Sequence, residues 1–248
     1  MITVKLPDGT EYTVKTLLGD GDSNTKLSKS DQSDSGYITY GLSLAPANVS
    51  GYNVCASSSP GCRAACLFTS GHGRMQPVQR ARIAKTIAFF EHKGMFDAMI
   101  RDEIEAALRK ANKKNKRLAI RLNVLSDIMW ENFKIVKDYP MIQFYDYTKH
   151  FKRMLKYCQG KLPKNYHLTF SRSECNEKET LEVLKAGGNV TVVFNSKDLP
   201  KKWNEYEVIN GDETDLRFLD KKNCVVGLYM KGDGKKDKSG FVVSLPLA

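Results

Sequence analysis

Apolar and polar positions change rhythm along this chain, and each change predicts an element. Ile2, Val4 and Leu6 alternate with polar residues, Pro7-Asp8-Gly9 carries turn chemistry, and Tyr12 to Lys15 resumes the alternation; this predicts a β-hairpin within residues 1–18. Residues 19–36 are rich in Gly, Asp, Ser and Lys with almost no apolar content, and read as a mobile connector or a lid. Alternation returns at 37–45 as a strand stopped by Pro46. From Pro77 to His92 the period lengthens to that of a helix, with Ile83, Ile87 and Phe90 on one face. Gly94 is the expected break. A second helix over 95–113 carries Phe96, Met99, Ile100, Ile104 and Leu108 as its apolar stripe, and both stripes read as core faces.

Beyond residue 117 short apolar runs alternate with short amphipathic stretches. Strands are predicted at 118–124, 141–145, 166–170, 190–194 and 225–230, with helices at 131–137, 151–157 and 177–186 and a final edge-pairing stretch at 241–245. Such alternation predicts βαβ units on a parallel sheet with right-handed crossovers. The fold class is therefore α/β. A TIM-like (β/α) barrel, complete or incomplete, is favoured over a doubly wound sheet. The expected division is an N-terminal hairpin and loop, 1–36, ahead of a barrel-like domain, 37–248.

A length of 248 residues suits this plan, and 41% apolar with 27% charged residues is a globular composition. No signal peptide opens the chain and no apolar run approaches the roughly 20 residues that span a membrane, so a cytoplasmic protein is expected. Net charge is +11, from 39 Lys and Arg against 28 Asp and Glu. The excess, concentrated at 110–117, 149–164, 197–202 and 231–238, points to an anionic partner, nucleic acid among them, or to a merely soluble surface.

One stretch carries most of the candidate chemistry. Cys55, Cys62 and Cys66 fall in the loop after the first strand of the series, with six and then three residues between them. Pro60-Gly61 turns the chain, and a helical turn would put Cys62 and Cys66 on one face. Three thiolates brought to one point would suit a metal or an iron–sulfur cluster; a disulfide or plain packing are the alternatives, and a cytoplasmic setting disfavours the disulfide. Structural zinc takes four ligands, with His72 the nearest fourth, whereas a triplet suits a four-iron cluster, which is the favoured reading. Cys175 is the preferred fourth cluster ligand, and His72 and Arg74 are candidates for contacting the cofactor. Cys158 and Cys224 fall at the opposite ends of the strands.

In such folds chemistry sits where strands end. The polar residues expected there include Ser126, Asp127, Trp130 and Glu131, then Asp146, Tyr147 and Lys149, then Ser171 through Glu174, then Asn195 through Lys197, and Lys231. Asp127 and Asp146 lead as acid/base or ligand-binding groups, and a divalent ion between them would suit a hydrolase. Lys149 and Arg172 lead as holders of an anionic substrate.

The run from Asn48 through Cys55, Cys62 and Cys66 to Leu67, then Gly71-His72-Gly73-Arg74, resembles the signature of a phage protein family called gene product 88. The likeness extends through Leu125 to Trp130 and Gly227 to Gly232. It implies a phage-encoded protein working in the host cytoplasm. More broadly the chain resembles radical S-adenosylmethionine enzymes, which place three cysteines after the first strand of a partial barrel and hold a four-iron cluster with one open iron. That resemblance implies redox or radical chemistry with S-adenosylmethionine as a second cofactor. This chain departs from it in its longer cysteine spacing and in lacking a Gly-Gly-Glu-like segment after the second strand. The rival class is a nucleic-acid-binding protein with a structural metal site.

Overall fold

The structure, a computed structural model, describes residues 1–20 and 35–245. Most of the loop expected at 19–36 lies outside the described residues. The hairpin forms as β1 (Ile2–Lys5) and β2 (Glu11–Val14), paired antiparallel with Ile2 opposite Val14. Its turn closes through Leu6 N to Thr10 O at 2.8 Å and Gly9 N to Leu6 O at 2.9 Å. Gly9 takes φ +83°, a left-handed conformation that favours glycine. The alternation that predicted the hairpin buries Ile2, Val4 and Val14 in the main core, beside Ala84 and Ile87.

The rest of the chain builds a ten-stranded, mostly parallel sheet ordered β3-β4-β5-β6-β7-β8-β11-β10-β9, with β12 pairing β8. The central strands are β4 (Tyr37–Leu42), β5 (Arg117–Arg121), β6 (Gln143–Thr148), β7 (Tyr166–Ser171), β8 (Val190–Phe194) and β11 (Val225–Tyr229). These six run parallel to one another. The first five follow one another in one direction across the sheet. β10 (Tyr206–Asn210) then takes the far side and β11 fits between it and β8. The short β3 (Leu18–Gly19) and β9 (Lys202–Trp203) pair antiparallel at the two ends.

The helices are α1 (Pro60–Ala64), α2 (Gln76–Glu91), α3 (Lys93–Lys113), α4 (Lys134–Asp138), α5 (Phe151–Cys158) and α6 (Glu177–Lys185). α2 to α6 bury their apolar residues on one sheet face, where Ile87, Ile100, Ile104, Met154 and Val183 join Ile120, Phe144, Leu168 and Val192 in one cluster. Each such buried side chain contributes about 1.5–3 kcal/mol. The opposite face has a separate small core of Tyr37, Ala119, Tyr145 and Leu216, with Phe218 edge-on to both tyrosines. Among the described residues, that small core is covered by the segment around Leu216 and Phe218, which includes a single 3-10 turn at Arg217–Leu219. No helix among the described residues is long and apolar enough to cross a membrane.

Several boundaries differ from the sequence reading. The break between α2 and α3 falls at His92, at φ −124° and ψ 48°. Gly94 sits in the first turn of α3, where the backbone N–H groups have no helical partner and glycine costs little. β10 and β9 fall in a stretch that the sequence suggested was loop. β12 (Val242–Val243) is not at an edge: it pairs β8 at Val193 and Phe194, beyond the point where β7 has left it at Thr191. β6 runs three residues past the expected 141–145, which changes the face of everything after Tyr145.

Candidate functional site

At the C-terminal ends of the parallel strands lies a cavity of about 670 Å³. Cys55, Cys62, Cys66, Asp127 and Lys149 all line it, so the cysteine loop and the strand ends meet at one mouth. A cavity of this size holds a small organic ligand or cofactor. Val193 of β8, Leu228 of β11, and Phe241 and Val242 at the start of β12 line its apolar part.

The cysteine loop is fastened at several points. Asn53 Oδ1 accepts the Cys55 N–H at 2.9 Å, Asp127 N donates to Val54 O at 2.8 Å, and Cys55 Sγ donates to Leu125 O at 3.4 Å. Ser59 caps α1, its hydroxyl accepting from Cys62 N at 3.1 Å, and Pro60 takes the first helical position. Glu174, from the loop after β7, then binds this cap: its carboxylate accepts from Ser59 Oγ and from Gly61 N, each at 2.7 Å. Burial would raise the Glu174 pKa, but those hydrogen bonds leave it below the usual carboxylate value. A Cβ on Gly61 would lie 2.8 Å from Glu174 Cδ, so only glycine admits this approach.

All six cysteines are free thiols, and the triplet is half-buried. Burial pushes Cys55 up to about 11 and raises Cys66 as well, where the nearby Lys149 and Arg82 charges oppose the rise. Among the described residues no group of three or more His, Cys, Asp or Glu side chains is drawn together closely enough to hold a metal ion. The three sulfurs thus share a cavity without meeting at the single point that the spacing suggested. As a donor set they suit a soft metal, since thiols ionise when a cation is close.

The wall opposite is organised by one buried arginine. Arg153, 2% exposed, forks onto Glu131 at 2.8 Å, reaches Asp127 at 3.0 Å and donates to Tyr166 Oη at 2.7 Å. Asp127 in turn accepts the backbone N–H of Lys149 at 2.8 Å, which fixes where that lysine leaves β6. Lys149 Nζ extends along the cavity wall to Ser171 Oγ at 2.6 Å.

Asp146 does not join them. It lies inside β6, fully buried on the helix-facing side, and accepts from Asn123 N at 2.6 Å, Asn123 Nδ2 at 3.0 Å and Tyr166 Oη at 2.6 Å. Asn123 Oδ1 then gathers Ser126, the Ile128 N–H and the Trp130 indole N–H within 3.2 Å, shaping the loop that carries Asp127. Burial pushes Asp146 up to about 7. The expected pair of carboxylates around one divalent ion is therefore absent: Asp127 is engaged by Arg153, and Asp146 lies behind the cavity.

The remaining candidates fall elsewhere. Arg172 bonds Glu177 at 2.8 Å and Phe241 O at 3.1 Å, anchoring β12, and does not line the cavity. Cys175 is exposed, 3.7 Å from Ser173 Oγ, and also lies off the cavity. His72 is exposed and borders a second cleft on the other side of Arg121. Arg74 clamps its own loop to Asp233 at 3.5 Å and to the Thr69 carbonyl. The basic stretches at 110–117 and 231–238 precede β5 and follow β11, so they occupy opposite ends of the parallel sheet. Sequence reasoning passed over Arg153 and Arg121, and placed Ser171 and Glu174 at the strand ends without giving either a role. Arg121 lies in a strand that read as apolar, and it pairs with Asp215 at 2.9 Å on the sheet face away from the main core. The only advance signal for Glu174 and Ser171 was their place after β7.

Across residues 16–245 the chain matches the family described as Gene product 88. No curated protein and no solved structure matches it.

Proposed function

Taking as premise that the chain belongs to the gene product 88 family of phage proteins, we propose that it is an iron–sulfur protein built on a partial (β/α) barrel. Cys55, Cys62 and Cys66 are the residues that would hold a four-iron cluster. The observation that carries this reading is that three cysteines from the loop after β4 line one cavity at the C-terminal ends of the strands, together with Lys149 and Asp127. The partial-barrel reading is supported by the stepwise order β4 to β8 and by helices confined to one face.

A bound cluster would supply electron transfer, and with three protein thiolates it leaves one iron open to another ligand. No other cysteine lines the cavity. The protein's own groups supply the rest. Asp127 sets the direction of Lys149, and Lys149 holds an organic anion. The apolar walls from β8, β11 and β12 exclude water, and Glu174 keeps the Cys62 and Cys66 turn against the sheet. The reaction class is redox or radical-type chemistry on that anion.

Anaerobic purification tests the reading directly. The expected result is a brown protein with broad visible absorbance, iron and sulfide in cluster proportion, and a paramagnetic signal on reduction. Adding S-adenosylmethionine, the cofactor that the broader resemblance implies, would perturb that signal if the open iron binds it. A colourless anaerobic preparation carrying stoichiometric zinc would refute the proposal.

A further inference from the structure

The cavity wall carries a positive charge that no neighbouring carboxylate takes up. Four cationic side chains line the cavity: Arg63, Arg121, Lys149 and Lys231. Arg121 is ion-paired with Asp215 at 2.9 Å and Lys231 with Asp212. Arg63 is exposed and its guanidinium bonds the Ser58 carbonyl at 2.7 Å. Among the described residues the contacts of the Lys149 ammonium are to neutral groups, the Ser171 hydroxyl at 2.6 Å and the Phe241 ring at 5.5 Å. Asp127, the nearest carboxylate by sequence position on the wall, accepts the Lys149 backbone N–H and gives its charge to Arg153.

Strand register explains how the two side chains come together. Thr148 of β6 lies opposite Phe170 of β7, so the next pair along the ladder is Lys149 and Ser171, and both point to the cavity side. An ammonium has three protons and gives one to Ser171, which keeps its own hydroxyl proton. The corner therefore offers two N–H donors, one O–H donor and one unbalanced positive charge. Around it stand Val193, Leu228, Phe241 and Val242.

We propose that Lys149 and Ser171 form a subsite for a carboxylate borne on an apolar body, so that the ligand of this cavity is a small monoanionic carboxylic acid. Lys149 supplies one positive charge at this corner, enough for one carboxylate; Arg63 also has no carboxylate partner among the described residues, but it is exposed and bonded to Ser58. A phosphate dianion would need a second cation at this corner, and Arg121 and Lys231 are already ion-paired. Arg172, the cation that might have balanced it, is turned away to Glu177 and the β12 backbone. The proposal rests on the mouth cavity being the functional site, but it does not require iron to be present.

The rival role for Lys149 is as counter-charge to the cysteine thiolates, and the test separates the two. Isothermal titration is run on the full chain, metal-free and after cluster reconstitution, with 4-phenylbutyrate, its neutral analogue 4-phenylbutanol, and phenyl phosphate. The carboxylate is expected to bind both preparations about tenfold more tightly than the alcohol and more tightly than the phosphate. Lys149→Met should cost about tenfold and Ser171→Ala a few-fold in carboxylate affinity, while Arg172→Met leaves it unchanged. Far-UV circular dichroism checks each variant's fold. The proposal is overturned if the alcohol matches the carboxylate, if the phosphate binds best, if the carboxylate fails to bind the native chain, or if folded Lys149→Met or Ser171→Ala binds it as well as native. Iron content and visible absorbance of the reconstituted sample report separately on the cluster, so either reading can fail alone.

Discussion

Glu174 and Gly61 meet at 2.7 Å, a carboxylate oxygen of one accepting the backbone N–H of the other. The same carboxylate holds the Ser59 hydroxyl, which in turn caps the turn bearing Cys62 and Cys66. One side chain from the loop after β7 thus latches the cysteine helix to the sheet. Gly61→Ala would set a methyl against Glu174 Cδ and against Ser239 Oγ. Both Gly61→Ala and Glu174→Ala are expected to lower stability by about 1–3 kcal/mol. They should also speed alkylation of Cys62 and Cys66 in the metal-free chain, read by mass spectrometry of iodoacetamide-treated protein. Unchanged alkylation rates in both variants would show that the latch does not position the thiols.

Iron binding should depend on three cysteines and ignore the other three. Serine in place of Cys55, Cys62 or Cys66 is expected to abolish the visible absorbance of the reconstituted protein. Cys175→Ser, at an exposed position off the cavity, should retain full iron, as should Cys158→Ser and Cys224→Ser. Loss of iron in Cys175→Ser would restore it as a fourth ligand and require the loop after β7 to move.

Arg153 is the keystone of the wall. Replacing it with Met leaves Asp127 and Glu131 facing each other without a cation, at 12% and 8% side-chain exposure. Breaking one partner out of a buried charge network costs about 3–5 kcal/mol. Arg153→Lys keeps the charge but loses the two-pronged contact with Glu131, and should fall between native and Arg153→Met. Urea unfolding of the three proteins gives the order.

Two buried groups give opposite pH dependences. Burial, reinforced by the Arg217 charge, pushes His167 down to about 4. The unfolded chain then binds the proton more readily between about 6.5 and 4. The contribution of neutral His167 is whole above the unfolded value and is lost as the pH falls toward 4, with a slope of at most about 1.4 kcal/mol per unit. Burial pushes Asp146 up to about 7, so its contribution is whole below the unfolded carboxylate value and is lost as the pH rises through 7. Unfolding free energy measured from pH 4.5 to 7.5 should therefore gain less with rising pH in His167→Phe than in native, and more in Asp146→Asn. Parallel curves for all three proteins would contradict this assignment.

Much of the architecture was legible because it is local. The hairpin alternation of Ile2 and Val4, the apolar stripe of Ile100 and Ile104, and the Val190 to Phe194 run each encode an element within a few residues. The cysteine loop was legible too, as was its place at the mouth, since it follows a parallel strand and parallel strands end together. β10 was not, because Tyr206–Asn210 mixes charge with apolar residues as edge strands do.

What the sequence by itself determined is an α/β chain with a cysteine triplet and polar strand ends at one edge of a parallel sheet. Which of those polar residues face the cavity was decided only in three dimensions. Side chains in a strand alternate between faces, so β6 continuing through Thr148 put Asp146 among the helices and sent Tyr147 and Lys149 to the cavity side. Partner choice was likewise non-local: Arg172 bonds a backbone 69 residues away, and Glu174 reaches 113 residues back to Gly61. No periodicity records such contacts, because they arise where loops from separate strands are brought to the same end of the sheet.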